Sequence, residues 1–326
     1  MYLTAGRSGR MEQYVIGVDV GGTKTAYGVF DGAGQIVARR RCRSDDSLSP
    51  EAFFDGVAAN VRELMEEAGI APGTLRGVGI GMPSFILFEE GRIVKTTNLT
   101  KIRDFPARAY LMEKLGGARV LLDNDSHTGA LAEFRHGAGR GFQNIVYCPV
   151  STGISSGIVI DGRLFRGRYG WSGESGHMIV TPGEGIECGC GNRGCLMSWC
   201  SGSMIVRHIR SWIAAGEPTV MAELAGGAEK ITAVHLRQAC GLGDAMALRA
   251  LGQMAKFLGI WLYNLYVTLN INCFIFGGGL TGFGELLFGR VREVFDGYNH
   301  NDMPVYFKMA ELEHDFGVIG AAELFY

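Results

Sequence analysis

Residues 14–30 read YVIGVDVGGTKTAYGVF, and the interpretation of the whole chain starts from this stretch. An apolar run covers Tyr14–Val20, a glycine pair follows, and a second run rich in β-forming residues covers Thr25–Phe30. Two such runs joined by a glycine turn predict a β-hairpin. The next turn, Asp31-Gly32-Ala33-Gly34, predicts a third strand over 35–41.

The turn of this hairpin has residues suited to phosphate. Backbone N–H groups at Gly21 and Gly22 could face an anion, and Thr23 and Lys24 add a hydroxyl group and a cation. Asp19 is placed to hold a hydrated Mg²⁺ ion. Taken alone, a Gly-Gly turn is usually only the turn of an ordinary hairpin.

A second stretch, NIVYCPVSTGISSGIVI at 144–160, repeats the plan of the first. It predicts strands over 144–150 and 154–160 around Ser151-Thr152-Gly153. We interpret the repetition as a weak internal duplication. Two similar cores would each offer a hairpin loop, and Thr152 and Gly153 would join the first turn in clamping the phosphates of a nucleotide.

The pattern between and after the hairpins predicts an α/β protein with a mixed sheet. Helices are expected over 50–68, 106–115, 126–136, 203–215, about 230–240, 244–269, 282–295 and 317–325, and further strands over 75–80, 119–122, 273–276 and 305–309. We expect three parts: an N-terminal extension, 1–13, expected to be disordered; a small domain, 14–124, completed by 317–326; and a large domain, 125–316.

Composition excludes several classes of protein. Glycine is abundant, at 50 of 326 residues, but proline is scarce and the glycines follow no short regular period, which excludes collagen-like and disordered chains. Sixteen of the glycines fall in residues 137–202, which suggests a site built largely from main chain. The net charge is −2, and the dense basic run Arg39–Arg43 is typical of a solvated strand end. We therefore expect no nucleic-acid partner.

The chain shows no secretory signal, since residues 1–10 lack an apolar segment. Met11 stands just before the first strand, so residues 1–10 could come from the choice of start site or from a tag; an intact mass of the native protein would decide. The uncharged run 257–284 is interrupted by asparagines and a glycine triplet, which favours a buried helix and strand over a membrane span. The expected location is cytoplasmic.

Asp123-Asn124-Asp125 ends a strand and begins a helix. These residue types cap helices, and this structural role alone would explain them. The functional alternative is that Asp125 takes the proton from a substrate hydroxyl that attacks the γ-phosphate of ATP, since phosphoryl transfer needs a carboxylate near the acceptor.

His177, Cys188, Cys190 and Cys195 form the strongest local signal. One imidazole and three thiolates match a closed structural zinc site, and the glycines of CGCGNRGC (188–195) allow a short loop to fold around a metal. Free thiols in a loop and a ligand role for Cys200 in place of His177 are the alternatives. The five other cysteines are interpreted as structural thiols.

These motifs together resemble the ROK family (repressors, open reading frames and kinases). The resemblance extends from Val15 to Leu324. It is carried by DVGGTKTAYGVFD (19–31), GIGMPSF (79–85), TNL (97–99), LLDNDSHTGALAE (121–133), STGISSGIVIDG (151–162), GWSGESGHM (170–178), CGCGNRGC (188–195), FGGGL (276–280) and GVIGAAEL (317–324).

The resemblance implies a two-domain actin-like ATPase fold of the hexokinase type, related to ribonuclease H, with duplicated cores and a cleft in which ATP and a sugar meet. It implies an ATP-dependent sugar kinase with catalytic Mg²⁺ and structural Zn²⁺, acting as a homodimer or homotetramer. The acceptor would be a hexose or N-acetylhexosamine, phosphorylated at O6. The implied residues are Asp19, Gly21, Gly22, Thr23 and Lys24 for phosphate and Mg²⁺; Thr152 and Gly153 for phosphate; Gly277, Gly278 and Gly279 near adenosine; Asn98, Asn124, Asp125, Glu174 and His177 for sugar; Asp125 as base; and His177, Cys188, Cys190 and Cys195 for zinc.

This chain departs from the family pattern at several positions. Met197 stands where the family has a glutamate that contacts the C1–C2 end of the sugar, and a thioether accepts hydrogen bonds only weakly. Losing one charged hydrogen bond would cost about 1.5–3 kcal/mol. Ser84 and the pair Ser155-Ser156 replace glycines, and His127 replaces an asparagine. His127 is either a titratable group near the site or a surface helix residue.

Two other functions are considered. A ROK repressor would carry a helix-turn-helix domain, for which the 13 residues before Tyr14 are too few. A sugar-binding protein without kinase activity is favoured by Met197 and opposed by the presence of Asp19, Thr23 and Asp125.

Overall fold

The computed structural model of the chain describes residues 13–312 and 315–326. The expectation for the N-terminal extension therefore lies, up to residue 12, outside the described residues. The strands are β1 Tyr14–Val20, β2 Lys24–Phe30, β3 Ile36–Arg43, β4 Leu75–Met82, β5 Ser84–Leu87, β6 Arg92–Thr96, β7 Arg103–Phe105, β8 Val120–Asn124, β9 Ile145–Pro149, β10 Gly157–Ile160, β11 Arg163–Leu164, β12 Cys273–Gly277 and β13 Tyr306–Met309.

The helices follow the predicted order closely. They are α1 Pro50–Glu67, α2 Ala107–Lys114, α3 Asp125–His136, α4 Met197–Cys200, α5 Gly202–Ala214, α6 Met221–Ala225, α7 Ala233–Gly241, α8 Ala245–Leu269, α9 Glu285–Tyr298 and α10 Phe316–Ala322. The start of α1 shows why the sequence predicted it: Ser49 accepts a hydrogen bond from the Ala52 N–H at 3.2 Å, and Pro50 occupies the first turn.

Two five-stranded sheets share one topology. The first has the strand order β3-β2-β1-β4-β8, and the second has the order β11-β10-β9-β12-β13. In each, three strands pair antiparallel in sequence order, and two later strands extend the first of them in parallel. This repetition confirms the duplicated α/β cores that the two hairpin motifs predicted.

A third sheet was missed by the sequence patterns. It is the small antiparallel sheet β5-β6-β7, within residues 84–105. Its strands are three to five residues long, which leaves too few alternating positions to indicate a strand.

The described residues form two compact units. Unit 1 contains residues 13–132, 167–171 and 315–326, and its core lies between the first sheet and α1 and α2. Unit 2 contains residues 133–166 and 172–312, and its core is built around the buried helix α8. Helix α3 thus contributes its first two turns to unit 1. The predicted domain limits at 124 and 125 remain a prediction.

Helix α10 packs unusually close to the first sheet. A Cβ atom at Gly17 would lie 1.9 Å from the carbonyl oxygen of Val318, and one at Gly79 would lie 1.8 Å from that of Ala321. Only glycine leaves room for a helix backbone at this distance. Part of the glycine excess therefore serves packing within unit 1, a use that the composition alone did not indicate.

Candidate functional site

In unit 1, the predicted phosphate turn lies beside one predicted sugar contact. The Gly21 N–H donates to the Lys24 carbonyl at 2.9 Å, which closes the turn between β1 and β2. A Cβ atom at Gly22 would lie 2.9 Å from the Cβ of Asn98, so the two residues are in contact. Asn98, Thr23 and Lys24 are exposed, which leaves their polar groups accessible to a ligand.

Asp19, the last residue but one of β1, lies in a confined position. A Cβ atom at Gly317 would lie 2.3 Å from the carboxyl carbon of Asp19, so α10 starts directly against this carboxylate. Burial and then the charge of Asp125 raise the pKa of Asp19 to about 6, while Lys24 and Arg41 act in the opposite direction. A carboxylate held beside another one gains from a cation between them, as Mg²⁺ would supply.

Sheet register explains why Asp19 and Asp123 lie at the same edge. Asp19 pairs with Gly81 on β4, and Gly81 pairs in turn with Asp123 on β8, so the parallel strands end together. Asp125 follows as the first residue of α3. The predicted phosphate and base residues of unit 1 therefore come together because three parallel strands end at one level.

Asp125 is held in a fixed orientation. Its Oδ1 atom accepts a hydrogen bond from the Ser126 N–H at 2.9 Å. Burial raises the pKa of the Asp125 carboxyl, and the Ser126 N–H and the nearby His127 oppose this rise. Asn124 donates from Nδ2 to the Ser84 carbonyl at 3.1 Å, so Ser84 anchors a predicted sugar contact through its main chain.

His127 is buried, so the surface alternative for it was wrong. Its side chain and that of Asp123 are each 1% exposed, and His127 Nδ1 lies 2.7 Å from Asp123 Oδ1. Asp123 lies on β8 and His127 in the first turn of α3, so the pair joins the end of the strand to the start of the helix. Sequence reasoning did not assign a role to Asp123, although an acidic residue four positions before a histidine at a helix start is a signal for such a pair.

In unit 2, the predicted second phosphate loop meets the glycine triplet. The Val150 N–H donates to the Gly277 carbonyl at 2.9 Å, and the Leu280 N–H donates to the Val150 carbonyl at 3.0 Å. A Cβ atom at Gly278 would lie 2.6 Å from that same Val150 oxygen. Thr152, Gly278 and Gly279 are exposed, as residues that contact a nucleotide should be.

The strand predicted over 154–160 begins later than expected, at Gly157. The reason lies at Ser156, whose N–H donates to the Gly173 carbonyl at 2.7 Å instead of joining the ladder with β9. Its hydroxyl group also lies 2.7 Å from that of Ser175 in a buried contact. The serine that replaces a family glycine thus holds the loop to the segment before His177.

The four predicted zinc ligands do come together. Their ligand atoms all lie within 4.8 Å of one another. Cys188 Sγ lies 3.5 Å from His177 Nδ1, and Cys190 Sγ lies 3.6 Å from Cys195 Sγ. Ligands of a tetrahedral zinc with bonds of about 2.0–2.3 Å lie about 3.4–3.8 Å apart, so these residues fit the metal. We name them the Cys₃His cluster.

Cys200 is not part of this cluster. It is buried and donates to the Leu196 carbonyl at 3.3 Å, so its proposed exchange with His177 was wrong. The other ring nitrogen of His177 lies 3.9 Å from a carboxylate oxygen of Glu174. The imidazole is therefore placed to bind a metal through Nδ1 while Nε2 faces Glu174, which is also a predicted sugar contact.

Met197, the first residue of α4, packs against the predicted second phosphate loop. A Cβ atom at Gly153 would lie 3.2 Å from the Met197 methyl group, which places the thioether against the predicted phosphate loop. Two neighbours that the sequence did not single out, Gly202 and Ser203, also contact this loop. The Gly202 N–H donates to the Ser151 carbonyl at 2.7 Å, and the Ser203 hydroxyl donates to the Thr152 carbonyl at 2.7 Å.

None of the helices in the described ranges, 13–312 and 315–326, has the length and apolar character needed to cross a membrane. This agrees with the interpretation of residues 257–284, which form the end of α8 and strand β12.

Comparisons with known proteins give one consistent family. The ROK family model matches residues 15–326. A glucokinase from Halalkalibacterium halodurans is 30% identical over 315 residues, with 96% of this chain and 95% of that protein covered. A ROK hexokinase structure from Thermus thermophilus is 32% identical with a TM-score of 0.78, and 95% and 97% of the two chains are covered.

A third relative is the solved structure of a ROK family glucokinase from Streptomyces griseus in complex with glucose and AMPPNP. It is 30% identical to this chain, with a TM-score of 0.78, and 95% and 98% of the two chains are covered. Likeness at this level over nearly the whole chain gives the described fold its name, the two-core actin-like ATPase fold. The chain therefore belongs to the ROK family.

Proposed function

We propose that this protein is an ATP-dependent sugar kinase that transfers the γ-phosphate of ATP to a hydroxyl group of a hexose or N-acetylhexosamine, with O6 as the acceptor atom. As a member of this family with glucokinases among its relatives, it is a hexokinase-type phosphotransferase. The observation that carries the finer proposal is the position of Asp125. Its partly buried carboxylate has a raised pKa and begins α3 at the sheet edge near which Asp19 also lies, one residue before the end of β1.

Asp125 is the proposed general base. The acceptor hydroxyl gives its proton to Asp125 as its oxygen bonds to the γ-phosphorus, and the bond between that phosphorus and the β–γ bridging oxygen breaks to release ADP. The raised pKa makes Asp125 a stronger base than an ordinary aspartate. The hydrogen bond from Ser126 fixes the direction of the carboxylate, and most of the catalysis comes from such positioning.

The donor would be bound by groups from both hairpins. Asp19 would hold Mg²⁺, which neutralises phosphate charge when bound. Gly21, Gly22, Thr23 and Lys24 would contact phosphate. Thr152 and Gly153 would also do so, with Gly277, Gly278 and Gly279 beside the adenosine.

The acceptor would be bound by polar side chains from two segments. These side chains are those of Asn98, Asn124, Glu174 and His177. The Cys₃His cluster would hold Zn²⁺ in a closed site that orders these contacts and activates no water. Glucose is the first acceptor to test, since glucokinases are among the relatives of this chain.

A coupled assay of ADP release tests this function. We expect acceptor-dependent turnover with at least one sugar from a panel of glucose, mannose, N-acetylglucosamine and N-acetylmannosamine. Asp125→Asn should lower kcat by at least about 100-fold, the usual contribution of a general base, with the fold unchanged by circular dichroism. Asp296→Asn, in an exposed ion pair with Arg292, is the matched control.

A sugar-binding protein without kinase activity is the second candidate, because Met197 replaces the glutamate of the family pattern. Absence of turnover with every sugar, together with sugar binding by calorimetry, would favour this candidate. Near-wild-type turnover in Asp125→Asn would instead contradict the assignment of the base.

A further inference from the structure

We propose that the Cys₃His cluster sets the shape of the second hairpin loop (Ser151–Ser156), so that metal binding controls the affinity for the phosphate donor, with Ser156 and Ser203 as positioning residues. The inference rests on the proposed function only for the identity of the loop's ligand. Its structural part depends on contacts within unit 2 alone.

The loop is held on one side by the chain that follows the cluster. Two residues after Cys195, Met197 contacts Gly153. Helix α5 then begins with two hydrogen bonds to the loop, from the Gly202 N–H to the Ser151 carbonyl and from the Ser203 hydroxyl to the Thr152 carbonyl, both at 2.7 Å. These donors occupy the loop's carbonyl oxygens, which would otherwise repel a phosphate.

On its other side, the loop is held by the chain that leads into the cluster. Ser156 is hydrogen-bonded to the Gly173 carbonyl through its N–H and to Ser175 through its hydroxyl group, each at 2.7 Å. A Cβ atom at Gly173 would lie 1.8 Å from the Ser156 carbonyl oxygen, and one at Gly176 would lie 2.0 Å from that of Ile154. His177 is the next residue, so a cluster ligand directly continues this contact.

The cluster joins these two flanking segments. His177 belongs to the first and Cys195 to the second. Between them, the Leu196 N–H donates to the Met178 carbonyl at 2.8 Å, and Ile179 pairs with Cys195 in a single β-bridge. Without a metal, thiol hydrogen bonds are the remaining link among the four ligand side chains, and these are weak. Loss of the metal should therefore loosen both sides of the loop.

Metal removal tests the proposal through hydrogen exchange. The protein would be depleted with a chelator under reducing conditions, and amide exchange would be compared for peptides covering 150–157 and 14–20. We expect faster exchange at 150–157, no change at 14–20, and recovery when Zn²⁺ is added back. Unchanged exchange at 150–157 would overturn the proposal.

Binding of a non-hydrolysable ATP analogue with Mg²⁺ tests the functional part. Calorimetry should show affinity at least tenfold weaker in the depleted protein. Faster exchange with unchanged affinity would overturn the link to the donor and the loop's place in the proposed function. The activity as a whole would still be decided by ADP release.

Ser203→Ala tests the same contacts with the metal bound, in case the depleted protein unfolds. It removes one hydrogen bond to the loop, so we expect affinity for the ATP analogue to fall about 2- to 10-fold and exchange at 150–157 to rise. Ser211→Ala is the matched control, because Ser211 on the same helix donates to the His208 carbonyl, away from the loop. Equal effects in the two variants would contradict the positioning role.

Discussion

Ionisation of the buried Asp19 carboxyl lowers the stability of the folded protein. Its pKa of about 6 exceeds the ordinary 3.8, so the folded protein binds a proton there more tightly than the unfolded chain. The resulting stability is fully present below pH 3.8 and is lost as the pH rises through about 6. At neutral pH the ionised carboxylate lowers the free energy of unfolding.

Asp19→Asn should therefore stabilise the protein at neutral pH in buffer without Mg²⁺ or nucleotide. We expect a gain on the order of 2 kcal/mol at pH 7.5 that disappears toward pH 4, because the carboxylate is then protonated in the wild type as well. Urea unfolding at several pH values measures this difference. A variant less stable than the wild type at pH 7.5 would contradict the prediction.

His127 is expected to influence Asp125 without touching the substrate. It pairs with Asp123, and its positive charge when protonated opposes the rise in the pKa of Asp125. His127→Asn keeps a donor for Asp123 but removes the charge. The pKa of Asp125 should rise, so the loss of kcat at acid pH should begin at a higher pH.

The pH profile of kcat measures the effect of His127→Asn. The exposed His300 offers a control, since His300→Asn should leave the acidic limb unchanged. An acidic limb that stays in place in His127→Asn, with the fold intact, would show that the pair is only structural.

The sequence allowed us to predict which residues form a cluster where the members are close in the chain, as Cys188, Cys190 and Cys195 are. It left His127 undecided between two environments because its burial depends on how α3 packs. It also gave no sign that Met197 contacts Gly153, since the two residues lie 44 positions apart in the sequence and meet only in the folded chain.

Among the elements, long helices and hairpins were predicted well because each has many residues in one pattern. Helix α8, at 25 residues, and the β1–β2 hairpin are examples. Strand β10 was predicted three residues too early, since Ser156 finds its hydrogen-bond partners in a distant segment. Local pattern carries no information about such a competing partner.

Replacing a glycine by alanine should have opposite effects on stability at the contact between α10 and the first sheet and on an exposed helix face. Gly79→Ala places a Cβ atom 1.8 Å from the Ala321 carbonyl oxygen, so we expect a loss of at least about 3 kcal/mol. Gly56→Ala, on the exposed face of α1 with nothing within 4 Å, should instead gain about 0.5–1 kcal/mol.

Chemical denaturation of the two glycine variants measures both signs. Because the substitutions are chemically identical, they control for each other. Similar stabilities for Gly79→Ala and the wild type would show that α10 can move away from the sheet at little cost.

At the scale of the molecule, Glu133 stands where the chain passes from one compact unit to the other. It is fully buried, and its carboxylate accepts hydrogen bonds from the N–H groups of Ala138, Glu311 and Leu312 at 2.9–3.1 Å. The chain first enters unit 2 at Glu133 and leaves it for the last time after Leu312. One side chain thus ties the entry of unit 2 to its exit.

Glu133→Gln should weaken this tie. One carboxylate oxygen is replaced by an amide NH2 group, which donates instead of accepting, so a buried N–H group loses its acceptor and we expect a loss of about 1–3 kcal/mol. Glu311→Gln, which removes an exposed ion pair with Arg140, should cost less than about 0.5 kcal/mol. Equal thermal stability of Glu133→Gln and the wild type would refute the role given to Glu133.

The overall plan of two similar cores was predictable because each hairpin motif occurs twice in the chain. The closing contact of Glu133 was not, because its partners lie 178 and 179 positions away. Sequence patterns report what a segment prefers, and they report nothing about which distant backbone groups need an acceptor.

The place of α10 in the chain has a consequence for biosynthesis. This helix covers Gly17 and Gly79, yet it is made after every residue of unit 2. The first strands to emerge from the ribosome must therefore wait for residues 316–322 before this face of the sheet is covered. During that time the face of the sheet at Gly17 and Gly79 is exposed to solvent and accessible to chaperones.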